Sequence, residues 1–410
     1  MPWRETSPME QRVEFVREYA TELFTMTELA AQYGISRKTG YKWVAEYEAH
    51  GALGLCDRSR RPHHSPHATE AALIETVLAL RRRHPRWGAT KLLAVAARRD
   101  PAAAWPSRAT VCTHLKAHGL VAPARRRPPT PHAPRSPLVP VTAPNAVWTT
   151  DFKGEFRTGD GVYCYPLTLR DGFSRFVLRC DGLLSRTVAA THQRFARAFA
   201  QYGLPDRIRS DNGLPFASPG LAGLSSLSVW WIRLGIIPER IAPGHPEQNG
   251  SHEQFHRVLK AETARPPAPN CVAQQTRFRR FVREYNEERP HEALDNQPPV
   301  TRYVPSRRPL PQRVPPLDYS GHLELRRVSS NGTVSWRDAP LFLATALAGE
   351  YVAFEEVDDG LWTLHFATVA LARYDERQRT LHPITVAGNG GRSASSAGSA
   401  PDRKNDETND

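Results

Sequence analysis

Cysteine is scarce and scattered in this sequence of 410 residues. The five cysteines are odd in number and include no CxxC pair, which argues against a disulfide framework and against a thiolate zinc site. Long apolar runs are also missing, since no stretch approaches the roughly 20 residues of a membrane-spanning helix. The opening residues, MPWRETSPMEQRVEF, lack the apolar segment of a signal peptide. We therefore expect a cytoplasmic protein with no membrane partner.

Acidic residues are missing from one part of the chain. None occurs between Asp100 and Asp151, although the formal net charge of the whole chain is +13. The same window holds several cations, namely Arg108, Lys116, Arg125, Arg126, Arg127 and Arg135. This distribution predicts a polyanionic partner, and we expect double-stranded DNA. Residues 123–144 are also rich in proline, which predicts an extended basic linker along a phosphate backbone.

A helix, a glycine turn and a second helix follow one another in TMTELAAQYGISRKTGYKW. Thr27 is the expected N-cap of the first helix, Gly34 ends it, and Ser36 caps the second. This order is typical of a helix-turn-helix, to which we assign residues 1–60. The outer face of the second helix, where the major groove would lie, carries Arg37, Lys38 and Lys42. The alternative is an αα-hairpin with solvated charges, and the agreement of cap, turn and basic face favours DNA binding.

Residues 67–122 predict a second helical unit with three helices. Ser107 is the expected cap of the third helix and Gly119 its terminator. Arg108 and Lys116 fall on the outward face of that helix, so we predict a second helix-turn-helix, or winged-helix-like, domain that contacts DNA. A plain three-helix bundle without a DNA role is the alternative.

The middle of the chain changes to alternating strands and helices. Three apolar runs (NAVWTTDF, YCYPLTLRD and RFVLRCDG) predict consecutive antiparallel strands. A helix, a strand (DRIRSD), a helix, a strand (IIPERIA) and two more helices should follow. This order predicts a ribonuclease-H-like α/β layer over residues 145–305. Residues 312–385 alternate with turns at NG and DG, which suggests a small SH3-like β-barrel, and residues 386–410 have the composition of a disordered tail.

Three carboxylates stand at predicted element boundaries in this layer. Asp151 closes the first strand, Asp211 closes another, and Glu253 opens a helix. Separated carboxylates at element edges can form a site for a divalent cation such as Mg²⁺, which prefers oxygen ligands. Glu247 is a rival to Glu253. It lies in a turn punctuated by proline and glycine, where its direction is poorly fixed, whereas a helix can hold Glu253 rigidly.

Several segments together resemble retroviral-type integrases and bacterial insertion-sequence transposases with the same catalytic core. They are YGISRKTGYKW, WTTDFKG, DGFSR, SDNGLPF, HPEQNGSHEQFHRVLKAE and YNEERPHEAL. The resemblance spans roughly residues 9–305 in order. One departure is Gln254, where the resemblance leads us to expect arginine after the glutamate.

The resemblance implies what this chain does. It implies a ribonuclease-H-like core in which Asp151, Asp211 and Glu253 hold two Mg²⁺ ions, for which Mn²⁺ can substitute, with no small-molecule cofactor. It implies cleavage of element ends and joining of the 3′-hydroxyl to target DNA, by at least a dimer associated with the bacterial nucleoid. His256, Arg257 and Lys260, on the helix of Glu253, are the expected contacts to the DNA end. The alternative is an inactive relic that acts as a DNA-binding regulator.

Overall fold

The chain forms two compact units, Met1–Thr69 and Glu70–Asp410. The structure is a computed structural model. It describes residues 7–57, 69–121, 138–218, 220–242, 246–337 and 339–384, without the side chains of 246 and 247. Within these residues, no helix combines the length and the apolar content needed to cross a membrane.

The first unit is a three-helix domain. Its helices are α1 (Pro8–Tyr19), α2 (Met26–Gln32) and α3 (Arg37–His50). Gly40 permits the tight crossing of these helices, because a Cβ there would lie 2.5 Å from the Met26 sulfur and 2.8 Å from Phe15. Gly34, with φ at +64°, makes the turn between α2 and α3. The predicted helix-turn-helix is confirmed.

The second unit begins with three more helices. They are α4 (Ala71–Arg83), α5 (Ala89–Arg99) and α6 (Arg108–Ala117). The Ser107 side chain accepts a hydrogen bond from the backbone N–H of Thr110 and caps α6, and Gly119 follows that helix with φ at +66°. Trp87 is fully buried at the centre of this bundle. The cap and the terminator are those predicted.

An α/β layer follows. Its strands are β1 (Val147–Phe152), β2 (Phe156–Arg157), β3 (Tyr163–Asp171), β4 (Val177–Leu183), β5 (Arg207–Ser210) and β6 (Ile237–Arg240). Its helices are α7 (Val188–Tyr202), α8 (Ser226–Arg233), α9 (Gly250–Thr263) and α10 (Cys271–Glu287). The element order is the predicted one, with the short β2 in addition.

The sheet of this layer mixes two kinds of pairing. Strands β3, β1, β5 and β6 are neighbours in that order, and β3 also pairs with β2 and β4. The pairings of β1 with β3 and of β3 with β4 are antiparallel, whereas β1, β5 and β6 are parallel. Helices cover the sheet, so Trp148 on β1 packs with Phe199 on α7 and Trp231 on α8 in one core. The parallel strands place their carboxyl ends at one edge, where the site lies.

The last part of the chain is a second set of strands. They are β7 (Glu324–Arg327), β8 (Thr333–Trp336), β9 (Ala339–Phe342), β10 (Tyr351–Asp358), β11 (Leu361–Phe366), β12 (Val369–Asp375) and β13 (Thr380–Pro383). Five form a sheet in the order β13-β12-β11-β10-β7, and β8 pairs with β9. The predicted closed barrel is wrong, because among the described strands β13 and β7 are free edges.

Other elements cover the apolar face of this open sheet, so the face is buried although the sheet does not close into a barrel. Trp336 on β8 stacks on Phe354 of β10 at a ring distance of 3.8 Å. From the α/β layer, Val229 and Ile232 on α8 belong to the same core cluster. The sheet therefore buries its core partly against the neighbouring domain, which the alternation of its strands could not reveal.

The α4–α6 bundle docks on helix α10. His84, buried and stacked on Trp87 at 3.8 Å, lies with Nδ1 2.8 Å from Glu284 Oε1. Arg83 pairs with the Glu288 carboxylate at 3.1 Å. These contacts fix the bundle beside the α/β layer and bring the basic turn between α4 and α5 near its carboxylates.

Candidate active site

Two of the predicted carboxylates lie at the carboxyl ends of adjacent parallel strands. Asp151 is the last residue but one of β1, and Asp211 directly follows β5. The register pairs Thr149 of β1 with Arg209 of β5, so both strands end at the same edge of the sheet. Ligands of open α/β sheets bind at this edge. The parallel pairing therefore brings together two carboxylates that are distant in sequence.

The turn after β5 is built to present Asp211. The Asn212 side chain donates a 2.8 Å hydrogen bond to the carbonyl of Ile241, which ties the turn to the strand end beside it. A Cβ at Gly213 would lie 3.1 Å from Asp211 Oδ2, so glycine leaves room for the carboxylate. Asp211 Oδ1 is buried and has no hydrogen-bond partner among the described residues. A buried carboxylate oxygen without a partner is costly unless a ligand supplies one.

Helix α9 carries Glu253 in its first turn. A buried histidine fixes this helix on the sheet: His252 Nδ1 lies 2.9 Å from Thr149 Oγ1, and its Nε2 lies 2.7 Å from Thr168 Oγ1. Glu253 is the next residue and is exposed. The helix placement is the one predicted for Glu253. Glu247 lies in a separate 3-10 turn, Pro246–Asn249, and its side chain is outside the described residues.

His256 is part of the support of Asp151. The residue is 4% exposed, its Nε2 lies 2.7 Å from Thr168 Oγ1, and its Nδ1 lies 3.4 Å from Asp151 Oδ2. Burial and the nearby Lys153 and Arg170 lower its pKa to about 3. His256 is buried but lines the cleft beside Asp151, and its contact with the DNA end stays a prediction. The helical period explains this placement, since His252, His256 and Leu259 share the buried face of α9.

The pKa of Asp151 responds to the other two carboxylates. Burial, with the carboxylates of Asp211 and Glu253, raises the pKa of Asp151 to about 7. Burial also raises the pKa of Asp211. Of the three carboxylates, Asp151 is the one whose pKa is raised by both of the others. The ionised forms are mutually unfavourable, and a cation placed among them would relieve this repulsion.

Residues of this site fit a hard cation, although they are not gathered around one point. Among the described residues, no three histidine, cysteine or acidic side chains are close enough to hold a metal ion. The donor set nevertheless suits Mg²⁺, because it consists of carboxylate oxygens and one of them, Asp211 Oδ1, is buried without a partner.

A cleft of about 600 Å³ opens beside Asp151 and Glu253. Asp211 is not among the residues that line this cleft. Its carboxylate raises the pKa of Asp151, which does line the cleft. The rim is basic, with Arg86, Lys153, Arg257, Lys260 and Arg265. Arg257 and Lys260 were predicted at this position. Arg86, Lys153 and Arg265 were missed, and for Lys153 the signal was its place two residues after Asp151.

The other predicted DNA contacts lie on helix surfaces. Arg37, Lys38 and Lys42 are exposed on α3, and Arg108 and Lys116 are exposed on α6. The ammonium group of Lys42 also lies 4.7 Å from the centre of the Trp43 ring. Arg125, Arg126 and Arg127, with most of the predicted linker, lie outside the described residues. All of these DNA contacts stay predictions.

Family models match several parts of this chain. The Integrase core domain family matches residues 141–246, and a second Integrase core domain family matches 234–299. A Helix-turn-helix domain family matches residues 11–63, and a Homeodomain-like domain family matches 39–115. An uncharacterized 31.7 kDa protein of insertion element IS407 from Burkholderia multivorans is 28% identical over 240 residues, which are 57% of this chain and 80% of that protein.

Solved structures with some likeness include viral intasome and integrase chains. A chain of the simian T-cell lymphotropic virus intasome, in complex with PP2A regulatory subunit B56 gamma, has a TM-score of 0.36 and 16% identity, covering 72% of this chain and 97% of that one. The HTLV-2 integrase catalytic core domain in complex with magnesium gives 0.30 and 15%, with 40% and 98% covered. The BIV integrase catalytic core domain gives 0.31 and 18%, with 39% and 93% covered.

Proposed function

The chain belongs to the insertion-sequence transposases with an integrase core, and on that premise we propose how it cuts and joins DNA. Asp151, Asp211 and Glu253, at the carboxyl edge of β1 and β5, would hold Mg²⁺, as two ions. The observation that carries this proposal is the parallel register of β1 and β5, which brings Asp151 and Asp211 to one edge of the sheet, with Glu253 on the helix that His252 bonds to Thr149 of β1. A basic rim surrounds the same point, as a DNA substrate requires.

Each residue then has a stated task. When bound, Mg²⁺ supplies positive charge to the scissile phosphate and makes the attacking oxygen more acidic. Thr168 and His256 hold Asp151 in place, since the Thr168 hydroxyl lies 3.0 Å from the Asp151 carbonyl and 2.7 Å from His256 Nε2. Cations of the rim, Lys260 among them, bind the flanking phosphates.

Both chemical steps are in-line displacements at phosphorus. In the first, a water oxygen bonds to phosphorus, and the bond to the 3′-oxygen breaks to leave a free 3′-hydroxyl. In the second, the oxygen of that hydroxyl bonds to a phosphorus of target DNA, and the bond from this phosphorus to the 3′-oxygen of the target strand breaks, which leaves a free 3′-hydroxyl on the target strand. One set of carboxylates can serve both steps, so no serine or tyrosine nucleophile is needed. Because element ends are cut in pairs, we propose that the protein acts as at least a dimer.

The test is metal-dependent nicking of a labelled duplex taken from the DNA that flanks the gene. The full chain should cut in Mg²⁺ and not in EDTA, and Asp151→Asn or Asp211→Asn should abolish cutting while end binding survives. Asp206→Asn is the matched control, because this exposed carboxylate stands at the opposite end of β5. A wild-type protein that binds the end but never nicks it would favour the inactive regulator. Cutting by either site variant at a near-normal rate would contradict the assigned carboxylates.

A further inference from the structure

A second cleft lies along helix α9, distinct from the carboxylate cleft. It has a volume of about 510 Å³ and is enclosed by α5, the end of β3, α9 and α10 with the segment after it. The same helix lines both clefts. Glu253 and Lys260 line the carboxylate cleft, whereas Ser251 and Val258 line the second. A ligand in the second cleft would therefore lie one helix width from the reacting carboxylates.

Two arginines converge on one hydroxyl in this cleft. The guanidinium groups of Arg170 and Arg175 both donate hydrogen bonds to Ser251 Oγ. Arg170 is 2% exposed, and its buried Nε has no hydrogen-bond partner among the described residues. The nearby Asp171 carboxylate is already engaged by the backbone N–H and hydroxyl of Ser174. Two like charges therefore meet at a neutral oxygen, with no carboxylate ion-paired to either in the described part of the chain.

A lysine from the helical bundle adds to this charge. Lys91 on α5 lines the same cleft and has no ion-pair partner within the described residues. Burial, together with Arg289, lowers its pKa to about 8. Arg289 is itself offset by an ion pair of 2.8 Å with Glu262. Glu292 is the one acidic residue among those that line the cleft, and it is exposed.

Such an arrangement is costly until an anion enters. A buried guanidinium without a carboxylate partner loses hydration and gains little in return. The planar fork of an arginine matches the oxygens of a phosphate, and a lysine adds a compact charge. An unpaired buried Nε, a shared hydroxyl and a lysine from another domain together describe a site for one tetrahedral anion.

We propose that Arg170, Arg175, Ser251 and Lys91 form a pocket for a backbone phosphate of the DNA strand held at the carboxylate cleft. The inference rests on the proposed function, because that function supplies the DNA. The pocket joins the α4–α6 bundle to the α/β layer through a shared ligand, so DNA bound there strengthens the contact between them. The phosphate belongs to a strand that also reaches the carboxylates on the other side of α9.

The experiment measures binding without cutting. Full-length protein is titrated in EDTA against a fluorescent duplex from the DNA that flanks the gene, over a range of salt concentrations. Arg175→Gln and Lys91→Gln each remove one pocket charge, and the double variant removes both. Arg302→Gln is the control, since this exposed arginine pairs with Asp295 at 3.3 Å and lies outside both clefts. Thermal unfolding verifies that every variant is folded.

We expect the double variant to bind about tenfold more weakly at 0.1 M salt, as for the loss of a charged hydrogen bond. The slope of log K against log salt is negative, and it should become less steep by about 0.9, the value for one phosphate contact. Wild-type affinity and slope in the double variant, or an equal loss in Arg302→Gln, would overturn the pocket and leave the proposed function standing. A wild-type chain that binds no flanking DNA would overturn both.

A second measurement locates the phosphate. Duplexes with a single neutral methylphosphonate are scanned along the strand. At one position the neutral linkage should weaken binding by the wild-type protein and cause a smaller further loss in Arg175→Gln, because one of the charges that contact this phosphate is already gone. If the losses from the linkage and from the variant multiply at every position, Arg175 does not hold a backbone phosphate.

Discussion

Neutralising Asp151 should make the metal-free protein more stable while it removes cutting. The structure places this carboxyl where ionisation is unfavourable, so its pKa rises from 3.8 to about 7. The unfolded chain releases the proton near pH 3.8 and the folded chain keeps it to about pH 7, so stability falls as pH rises through this interval. Above pH 7 the full cost is present, and a shift of this size corresponds to roughly 4 kcal/mol.

Asp151→Asn should recover part of that cost. An amide introduces N–H groups that lack partners, so we expect about half of it, or roughly 2 kcal/mol. For a domain of about 150–250 residues, 1 kcal/mol moves the unfolding midpoint by about 2–4 °C, which gives a gain of roughly 4–8 °C. Asp211→Asn should recover a smaller part of the Asp151 cost, because burial contributes more to the Asp151 shift than the Asp211 charge does.

Thermal unfolding at pH 8 in EDTA and in Mg²⁺ is the assay. The wild-type midpoint should rise when Mg²⁺ is added, and the midpoint of Asp151→Asn should not, since binding to the folded state alone stabilises it. Asp206→Asn should behave as wild type, because its ion pair with Arg308 is at the surface. A lower or unchanged EDTA midpoint in Asp151→Asn would refute the reasoning, as would equal stabilisation of both proteins by Mg²⁺.

Three further outcomes follow from the described contacts. Thr168→Val should reduce cutting about tenfold or more and destabilise the fold by about 2–6 kcal/mol, because two buried histidine nitrogens lose a hydrogen-bond partner. Thr168→Ser keeps the hydroxyl, so its cutting rate in a nicking assay and its stability in an unfolding assay should be close to wild type. Lys91→Met should remove the rise in stability between about pH 8 and pH 10.5 that a lysine with a lowered pKa gives, read from unfolding midpoints at each pH. Reversing the charges of Arg37 and Lys38 should weaken end binding and flatten its salt dependence, and an unchanged slope would move recognition to α6.

Local patterns predicted most of the helices and strands. Apolar runs that end in Asp151 and Asp211 became adjacent parallel strands, because buried strands of this kind pair at the centre of a sheet. A cap was misplaced by two residues: Thr25, not Thr27, caps α2. Its hydroxyl accepts from the Glu28 backbone while the Glu28 carboxylate accepts from the Thr25 backbone. The spacing of a capping box was present in the sequence and identifies Thr25.

Features that depend on contacts between domains could not be predicted. The alternating pattern of the C-terminal strands predicted a barrel. Alternation shows that one face of each strand is apolar, but it does not show what covers that face. The structure covers that face with Trp336 and with Ile232 of the neighbouring domain. Arg86 and Lys91 likewise reach their clefts only because the helical bundle docks on α10 through His84. Their positions are a tertiary result with no local signal.

The choice between the two glutamates is a choice between a helix and a turn. Glu253 stands in the first turn of α9, which His252 bonds to the strand that carries Asp151, whereas Glu247 stands in the preceding 3-10 turn. Glu253→Gln keeps the size and helix propensity and removes the charge, so it should abolish Mg²⁺-dependent nicking and strand transfer. Glu247→Gln makes the same change and should leave most activity in the same assays. If loss of Glu247 alone is fatal, rigid placement on the helix does not select the ligand, and the reasoning from α9 fails.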